Sequence, residues 1–418
     1  MAVPQNPIDT LPYELLGEVF THCAALCPDA PLLLGAVSHH FRAVVHSTPA
    51  AWGCLRLSGA DGPRKAARWF AMAKACPLDV HIQIQAQSAD AEVPHPHLHP
   101  HPPHAPIHAT ATTAVALPPA LETLHGYTHR IAALRLCTGT QAQARAALAA
   151  IYGDATPDAV ALRSLTINVA APPTPSAAPP PPLPAVPGLL NLETTNVALG
   201  ALPSLALANL RRLRLVQPLV APPLSAPDIL ALLAATPRLE RLKLDARIAD
   251  PAPTPAAPHP HPCVLAQLAR LHLRANNLVP LLDAFIAPAL RELRLSDLDG
   301  RRAGASCATG AALHRLLVRG ELGTGAVRAN ALRVFALRGV AVERGSAVWG
   351  RALRRMAALE VFSVEERGEG GLEEEEAREA AAAAAAAVKA HAHHEERPGP
   401  RKVHAAFAFS FGAPAPES

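Results

Sequence analysis

Four histidines at alternate positions, His95, His97, His99 and His101, lie within the run Pro94 to His104 and offer imidazole nitrogens to a zinc- or copper-class ion. A structural zinc site takes four ligands fixed in a tetrahedron, whereas this run is rich in proline, lacks cysteine, and has only Asp90 and Glu92 as nearby carboxylates. The pattern reads as adventitious metal affinity of an extended loop, so no metal site and no cofactor is expected. Cys23 and Cys27 sit one turn apart in an apolar helical stretch, where small buried thiols account for them. The chain has no Gly-x-Ser-x-Gly elbow, no glycine-rich phosphate loop and no His-Glu-x-x-His pair. Nothing in it asks for an enzyme. The remaining candidates for recognition are cations spread at wide intervals, Arg135, Arg214, Lys243 and Arg294, and their meaning depends on the elements that carry them.

Those elements repeat. The spacing Leu-x-x-Leu-x-Leu, with apolar replacements, starts at Ile131, Leu162, Leu210, Leu239, Leu268, Leu290, Leu332 and Leu359. The unit at Leu268 extends through Asn276 and Leu278 to the full leucine-rich-repeat signature, and most starts are separated by about the ~20 to 29 residues of such repeats. Two longer gaps are expected to hide degenerate units at Leu189 to Thr194 and Leu313 to Val318. Helical patterns fall between the strand signals at Asp228 to Ala235, Val279 to Ile286, Ala308 to Arg319 and Val348 to Ala358. The expected class is therefore α/β: a curved solenoid with short parallel strands on the concave face and helices outside. The spaced leucines of each strand would point inward. Arg135, Thr166, Arg214, Lys243, His272, Arg294 and Ala336 would then face the concave surface. Of these, Arg135, Arg214, Lys243 and Arg294 would form a positive stripe suited to an acidic or phosphorylated client protein, against the plainer reading that they merely solvate an exposed sheet.

The N-terminus follows a different pattern. Leu11, Leu15, Leu16, Val19 and Phe20 share one side at 3.6 spacing, Pro12 suits the first helical position, Glu14 lies in the first turn, and Asp9 and Thr10 stand upstream as caps. A second helix is expected over Pro31 to Val45, with Leu32, Leu33, Val37, Phe41, Val44 and Val45 apolar, stopped by Ser47-Thr48-Pro49. So small a unit is marginal alone. Its apolar surface must pack on a neighbour or await a partner.

Leu11-Pro12-Tyr13-Glu14-Leu15-Leu16-Gly17-Glu18-Val19-Phe20, then Val37-Ser38-His39-His40-Phe41-Arg42, then Ser47-Thr48-Pro49-Ala50-Ala51-Trp52 resembles an F-box over about the first 57 residues. The family form carries Trp and Arg where this chain has Phe41 and His39, and phenylalanine keeps the apolar contact while losing an indole donor. With the repeats, the order resembles the F-box proteins with irregular leucine-rich repeats that abound in fungi. The resemblance implies a substrate-recognition subunit of a Skp/cullin/F-box ubiquitin ligase. Leu11, Pro12, Leu15, Leu16, Val19, Phe20, Leu32, Leu33, Val37, Phe41, Val44 and Val45 would serve the Skp adaptor, and the repeats would hold a client. Catalysis would belong to the cullin ligase core. The rivals are an interaction scaffold without ubiquitin transfer and a hydrolase or transferase grafted on repeats.

The expected organisation is an F-box unit at 1–60, a bridging helix and strand at 61–85, a His/Pro-rich disordered insertion at 86–119 and repeats at 120–365. Pro-rich loops interrupt the repeats at 170–188 and 249–262, and 366–418 forms a disordered tail. Composition agrees. Proline makes up 44 of 418 residues, roughly twice the usual ~5%, and the seven cysteines are scattered, as suits a reducing, cytoplasmic or nuclear setting. A formal charge of +4 with 4% aromatics gives no base-stacking platform, so nucleic acid is not expected. No apolar run is long enough to read as a membrane span.

Overall fold

A computed structural model describes residues 8, 11–58, 62–84, 119–153, 160–171, 185–202, 207–250, 262–298, 305–322, 332–340, 351–352, 356, 359–365 and 404–405. The chain divides into two compact units, Met1–Ala171 and Pro172–Ser418. The division falls after the first four strands, so the N-terminal helices share a unit with the first parallel strands.

Unit 1 opens with α1 (Tyr13–Leu26), α2 (Ala30–Val37) and α3 (His39–Ser47). Pro12 stands at the cap position of α1, one residue before the place expected for it. The proposed caps Asp9 and Thr10 lie outside the described residues. The single helix expected over Pro31 to Val45 is two helices broken at Ser38. That residue is extended, and its hydroxyl accepts from the Phe41 amide at 3.1 Å, so a side-chain cap competes with continuation. Arg42 Nε donates to the Gly35 carbonyl at 2.8 Å and ties the broken ends together. A Cβ at Gly17 would sit 3.0 Å from Thr48 Oγ1, and this close approach of α1 to the Thr48 turn favours glycine in the Leu-Leu-Gly-Glu run.

A 3-10 turn, Pro49–Trp52, carries the polypeptide to β1 (Cys54–Ser58), followed by α4 (Gly62–Ala73), β2 (Leu78–Gln83), α5 (Ala120–His125), β3 (Ile131–Thr138), α6 (Gln141–Tyr152) and β4 (Ser164–Val169). The four strands pair in sequence order and all in parallel. Trp52 fixes the junction. It is fully buried, donates from Nε1 to the Val45 carbonyl at 2.9 Å, and meets Trp69 edge-to-face at 5.1 Å. Trp69 in turn donates to the Cys54 carbonyl at 2.8 Å, so one aromatic pair links α3, α4 and β1.

Unit 2 contains β5 (Asn191–Thr195), β6 (Arg212–Val216), α7 (Ala226–Ala234), β7 (Arg241–Asp245), β8 (Cys263–Val264), β9 (Arg270–Ala275), α8 (Val279–Ala284), β10 (Phe285–Ile286), β11 (Glu292–Asp297), α9 (Ala305–Leu322), β12 (Val334–Arg338), β13 (Val361–Glu365) and β14 (His404–Ala405). Its sheet runs β5-β6-β7-β9-β11-β12-β13-β14 in parallel, and β8 and β10 form a separate parallel pair.

Leu213 and Leu215, Leu242 and Leu244, Leu271 and Leu273, Leu293 and Leu295, and Phe335 and Leu337 are buried, while the residues between them face the other side of the pleat. A doubly covered parallel sheet reads as continuous apolar strands; this one alternates, as a sheet covered on one side must. The mixed α/β architecture with its parallel sheet fits a leucine-rich-repeat-like solenoid. Asn276 of the signature unit accepts from the Ile248 amide at 2.7 Å, so its side chain satisfies backbone of the preceding unit.

Of the two degenerate repeat units, one is a strand and the other is not. Leu189 to Thr194 does yield a strand, β5, whereas Leu313 to Val318 lies inside α9. Leu313, Leu316 and Leu317 are buried at i, i+3 and i+4, a helical spacing that overlaps the repeat motif. α7 spans Ala226–Ala234 and α8 ends at Ala284, where Phe285 and Ile286 turn extended to pair with β8. The helix expected over Val348 to Ala358 lies mostly outside the described residues, as do nearly all of the Pro- and His-rich insertions and all of the tail beyond Glu365 except His404–Ala405.

Candidate functional site

Two surfaces gather the residues singled out above, one in each unit. On α1 the apolar positions divide into two stripes. Leu16, Phe20 and Ala24 are buried, and Phe20 meets Phe41 with ring centroids 5.1 Å apart. Leu15, Val19 and Leu26, at spacings of four and seven, form a second stripe that is 48%, 48% and 88% exposed. On α2, Leu32, Leu33 and Val37 are 37%, 63% and 66% exposed. Of the twelve large hydrophobic side chains most exposed among the described residues, nine lie between Ile8 and Val37. Scattered exposed leucines are ordinary, whereas here they are concentrated on two adjacent helices.

The residues expected to serve an adaptor therefore separate by role. Leu11, Pro12, Leu15, Val19, Leu32, Leu33 and Val37 are exposed. Leu16, Phe20, Phe41, Val44 and Val45 are buried within unit 1 and hold its shape instead of offering a contact surface. The Phe41 departure thus falls in the helical core. His39 opens α3 exposed to solvent. Tyr13 and Leu26, which sequence reasoning left out, belong with the exposed set at 44% and 88%.

In unit 2 the strand register brings Glu193, Arg214, Lys243, His272, Arg294 and Ala336 into one row across β5, β6, β7, β9, β11 and β12. Arg214, Lys243 and Arg294 are thus assembled on one face as the repeat spacing predicts. Arg135 belongs to unit 1, where it lies between His81 and Thr166 in a corresponding row. The row is less purely basic than expected. Arg214 Nη1 lies 2.8 Å from Glu193, and Arg294 Nε donates to Glu292 Oε1 at 2.7 Å. Lys243 is exposed and has no ion-pair partner among the described residues.

Glu292 also lies 2.9 Å from His272 Nε2 and 3.5 Å from Arg270 Nε. Burial opposes its ionisation, but the hydrogen bond from His272 and the adjacent Arg294 charge outweigh it and hold the carboxyl below its ordinary range. For His272 burial is the larger effect and pushes the imidazole pKa down despite Glu292. At neutral pH the pair is therefore a neutral imidazole donating to a carboxylate. Next to it, Lys243, Asp245, His272, Arg274, Arg294 and Arg338 line an open depression of ≈ 330 Å³, four cations against one carboxylate. Asp245 is engaged by Arg274 at 3.1 Å. The arrangement can accept an anionic group of phosphate or carboxylate size through several N–H donors.

The histidines at 95, 97, 99 and 101 lie outside the described residues. Among the described residues one other set of donors converges, Cys54, Asp79 and His81 on β1 and β2 of unit 1, with ligand atoms all within 4.8 Å of one another. Sequence spacing gives no sign of it, since only strand pairing brings Cys54 opposite Asp79.

No helix among the described residues is long and apolar enough to cross a membrane. No protein-family model matches the chain. No curated protein matches it. Among solved structures it is similar to one described as "Crystal structure of TLR13-ssRNA13 complex", at 11% identity over 56% of this chain. The match covers 38% of that chain, with a TM-score of 0.19. A likeness that weak transfers neither fold detail nor binding.

Proposed function

We propose that this chain is a non-catalytic recognition subunit of a Skp/cullin/F-box ubiquitin ligase, built as an F-box followed by an irregular leucine-rich-repeat solenoid. The N-terminal helices dock the Skp adaptor, and the face of the unit 2 sheet, concave in such a solenoid, holds a client protein. The observation that carries this reading is the second stripe of α1, Leu15, Val19 and Leu26, together with Leu32, Leu33 and Val37 on α2, left exposed while the neighbouring stripe is buried. It coincides with the segment whose motif resembles an F-box. Helix-in-groove docking uses such apolar anchors at one-turn spacing.

The row from Arg214 to Arg294 and the depression beside it favour a client that presents a phosphate or a cluster of carboxylates. The rival scaffold would use the same surfaces without ubiquitin transfer. The test is a reconstituted reaction with Skp adaptor, cullin core, ubiquitin and the proteins that co-purify with the full chain. Ubiquitin chains on one of those proteins, weakened by Lys243→Ala with Arg294→Ala, are the expected result. Binding of the same proteins without any ubiquitin transfer supports the scaffold and overturns the ligase reading.

A further inference from the structure

β1 and β2 pair in register, Cys54 opposite Asp79 and Arg56 opposite His81. Asp79 and His81 are two residues apart on one strand and so share a face, and Cys54 stands across from Asp79 on the same face. A thiol, a carboxylate and an imidazole thereby meet on the exposed side of the unit 1 sheet, with their donor atoms all within 4.8 Å. The neighbour of Asp79 on β3 is Ala133, whose methyl group leaves room beside them. We propose that Cys54 Sγ, an Asp79 oxygen and a His81 nitrogen bind one divalent ion of the zinc class, clamping β1 to β2 and leaving a fourth position to water.

The geometry supports this in two ways. In a tetrahedron with bonds of ~2.0 to 2.1 Å to nitrogen and oxygen, the nitrogen–oxygen edge is about 3.3 Å. His81 Nε2 stands 3.3 Å from Asp79 Oδ1. The sulfur-bearing edges would be about 3.6 Å, so side-chain rotation of roughly 1 Å closes the set. The donor chemistry also selects the ion: mixed sulfur, nitrogen and oxygen suits zinc, whereas magnesium and calcium take oxygen alone.

Arg135 and Arg56 flank His81 and add positive charge nearby. A thiolate and a carboxylate together cancel the charge of a divalent ion, so these cations do not bar it. An ordinary ion pair between His81 and Asp79, whose side chains are 25% and 50% exposed, makes no use of the Cys54 thiol that strand pairing sets beside it.

Without metal, burial first and Asp79 second raise the Cys54 thiol to about 11, with Arg135 opposing, so at neutral pH it carries its proton. Binding is then an exchange. The ion forms a bond to sulfur, the S–H bond breaks, and the proton goes to solvent, about one per ion, so affinity climbs with pH.

The test titrates the full, untagged chain, reduced with a phosphine, with cobalt(II) as the probe. The expected result is a near-ultraviolet thiolate-to-cobalt absorption saturating at one ion per chain, with release of about one proton. The 95–101 histidines carry no sulfur and do not give that band. Cys54→Ser abolishes it, Cys137→Ser leaves it, and His81→Gln weakens binding by more than the roughly 10 to 100-fold that loss of an outer-shell partner costs. Absence of the band in the wild-type chain overturns the proposal, and so does its survival in Cys54→Ser. If Cys54→Ser fails to fold, His81→Gln decides alone, and unchanged affinity there overturns it.

Discussion

Adjacent leucines on α1 are expected to respond very unequally to truncation. Leu16 is fully buried beside Phe20, so Leu16→Ala removes three carbons and leaves a cavity, for which the usual range is about 2 to 5 kcal/mol. For a unit of this size each kcal/mol moves the midpoint by roughly 2 to 4 °C, so a loss near 3 kcal/mol lowers Tm by roughly 6 to 12 °C. Leu15 is 48% exposed in the free chain. Burying a leucine fully is worth about 1.5 to 3 kcal/mol, of which half at most is realised at this site, and the partly exposed position relaxes around alanine. Alanine is also the better helix former. Leu15→Ala should therefore cost less than about 1 kcal/mol.

The assay is thermal unfolding of the full chain followed by tryptophan fluorescence in a Trp349→Phe background, so that the signal comes from Trp52 and Trp69 of unit 1. A Leu15→Ala midpoint as low as that of Leu16→Ala would mean that the second stripe is packed in the free protein, and the division of α1 into core and contact faces would be refuted.

Further outcomes follow from individual contacts. Thr140 and Gln143 form a capping box at the start of α6, the hydroxyl accepting from the Gln143 amide at 3.2 Å, so Thr140→Ala should destabilise unit 1 by about 1 kcal/mol in chemical denaturation. The folded state resists protonation of His272 while the unfolded imidazole titrates near 6.5, so unit 2 binds fewer protons than its unfolded form just below that pH. Its stability should fall as pH drops through 6.5, and His272→Gln should flatten that slope. The Glu292 carboxyl is held below 4.5 in the fold, so its contribution is present above that value and disappears as pH falls through the lower folded value. Glu292→Gln should remove this acid-side loss and, because the Glu292 carboxylate holds the His272 imidazole up against burial, should also steepen the fall below 6.5.

Strands β6, β7, β9 and β11 are legible because each carries its own leucine pair, and β12 and β13 because Phe335 with Leu337 and Phe362 with Val364 keep the same alternation, which a single-faced parallel sheet preserves. β1 carries no strand signal of its own. Leu55-Arg56-Leu57 is too short to show alternation and follows the helical motif after only Gly53 and Cys54, although Leu55 and Leu57 are buried on one side. The same overlap of periods that placed a repeat at Leu313 to Val318 explains the one strand that became a helix.

At the candidate sites, register could be foreseen wherever the repeat spacing is regular, which is why Arg214, Lys243 and Arg294 align as expected. The ion pairs of Arg214 with Glu193 and of Arg294 with Glu292 could not, because they depend on which neighbours the pleat presents. Likewise both stripes of α1 are apolar in sequence. Only packing against α2, α3 and the Pro49–Trp52 turn decides which is covered. Cys54 and Asp79 meet solely through strand pairing, with nothing in their spacing to announce it.

Docking of the Skp adaptor through the exposed stripe is most directly tested by calorimetric titration of the full chain, carrying no polyhistidine tag, with purified adaptor, beside Leu15→Asp. Placing a carboxylate in an apolar groove costs several kcal/mol, so affinity should drop by at least ~100-fold while the unfolding midpoint stays near that of the wild-type chain. A folded wild-type chain that binds no adaptor, or a Leu15→Asp variant that binds as tightly as wild type, would contradict the account.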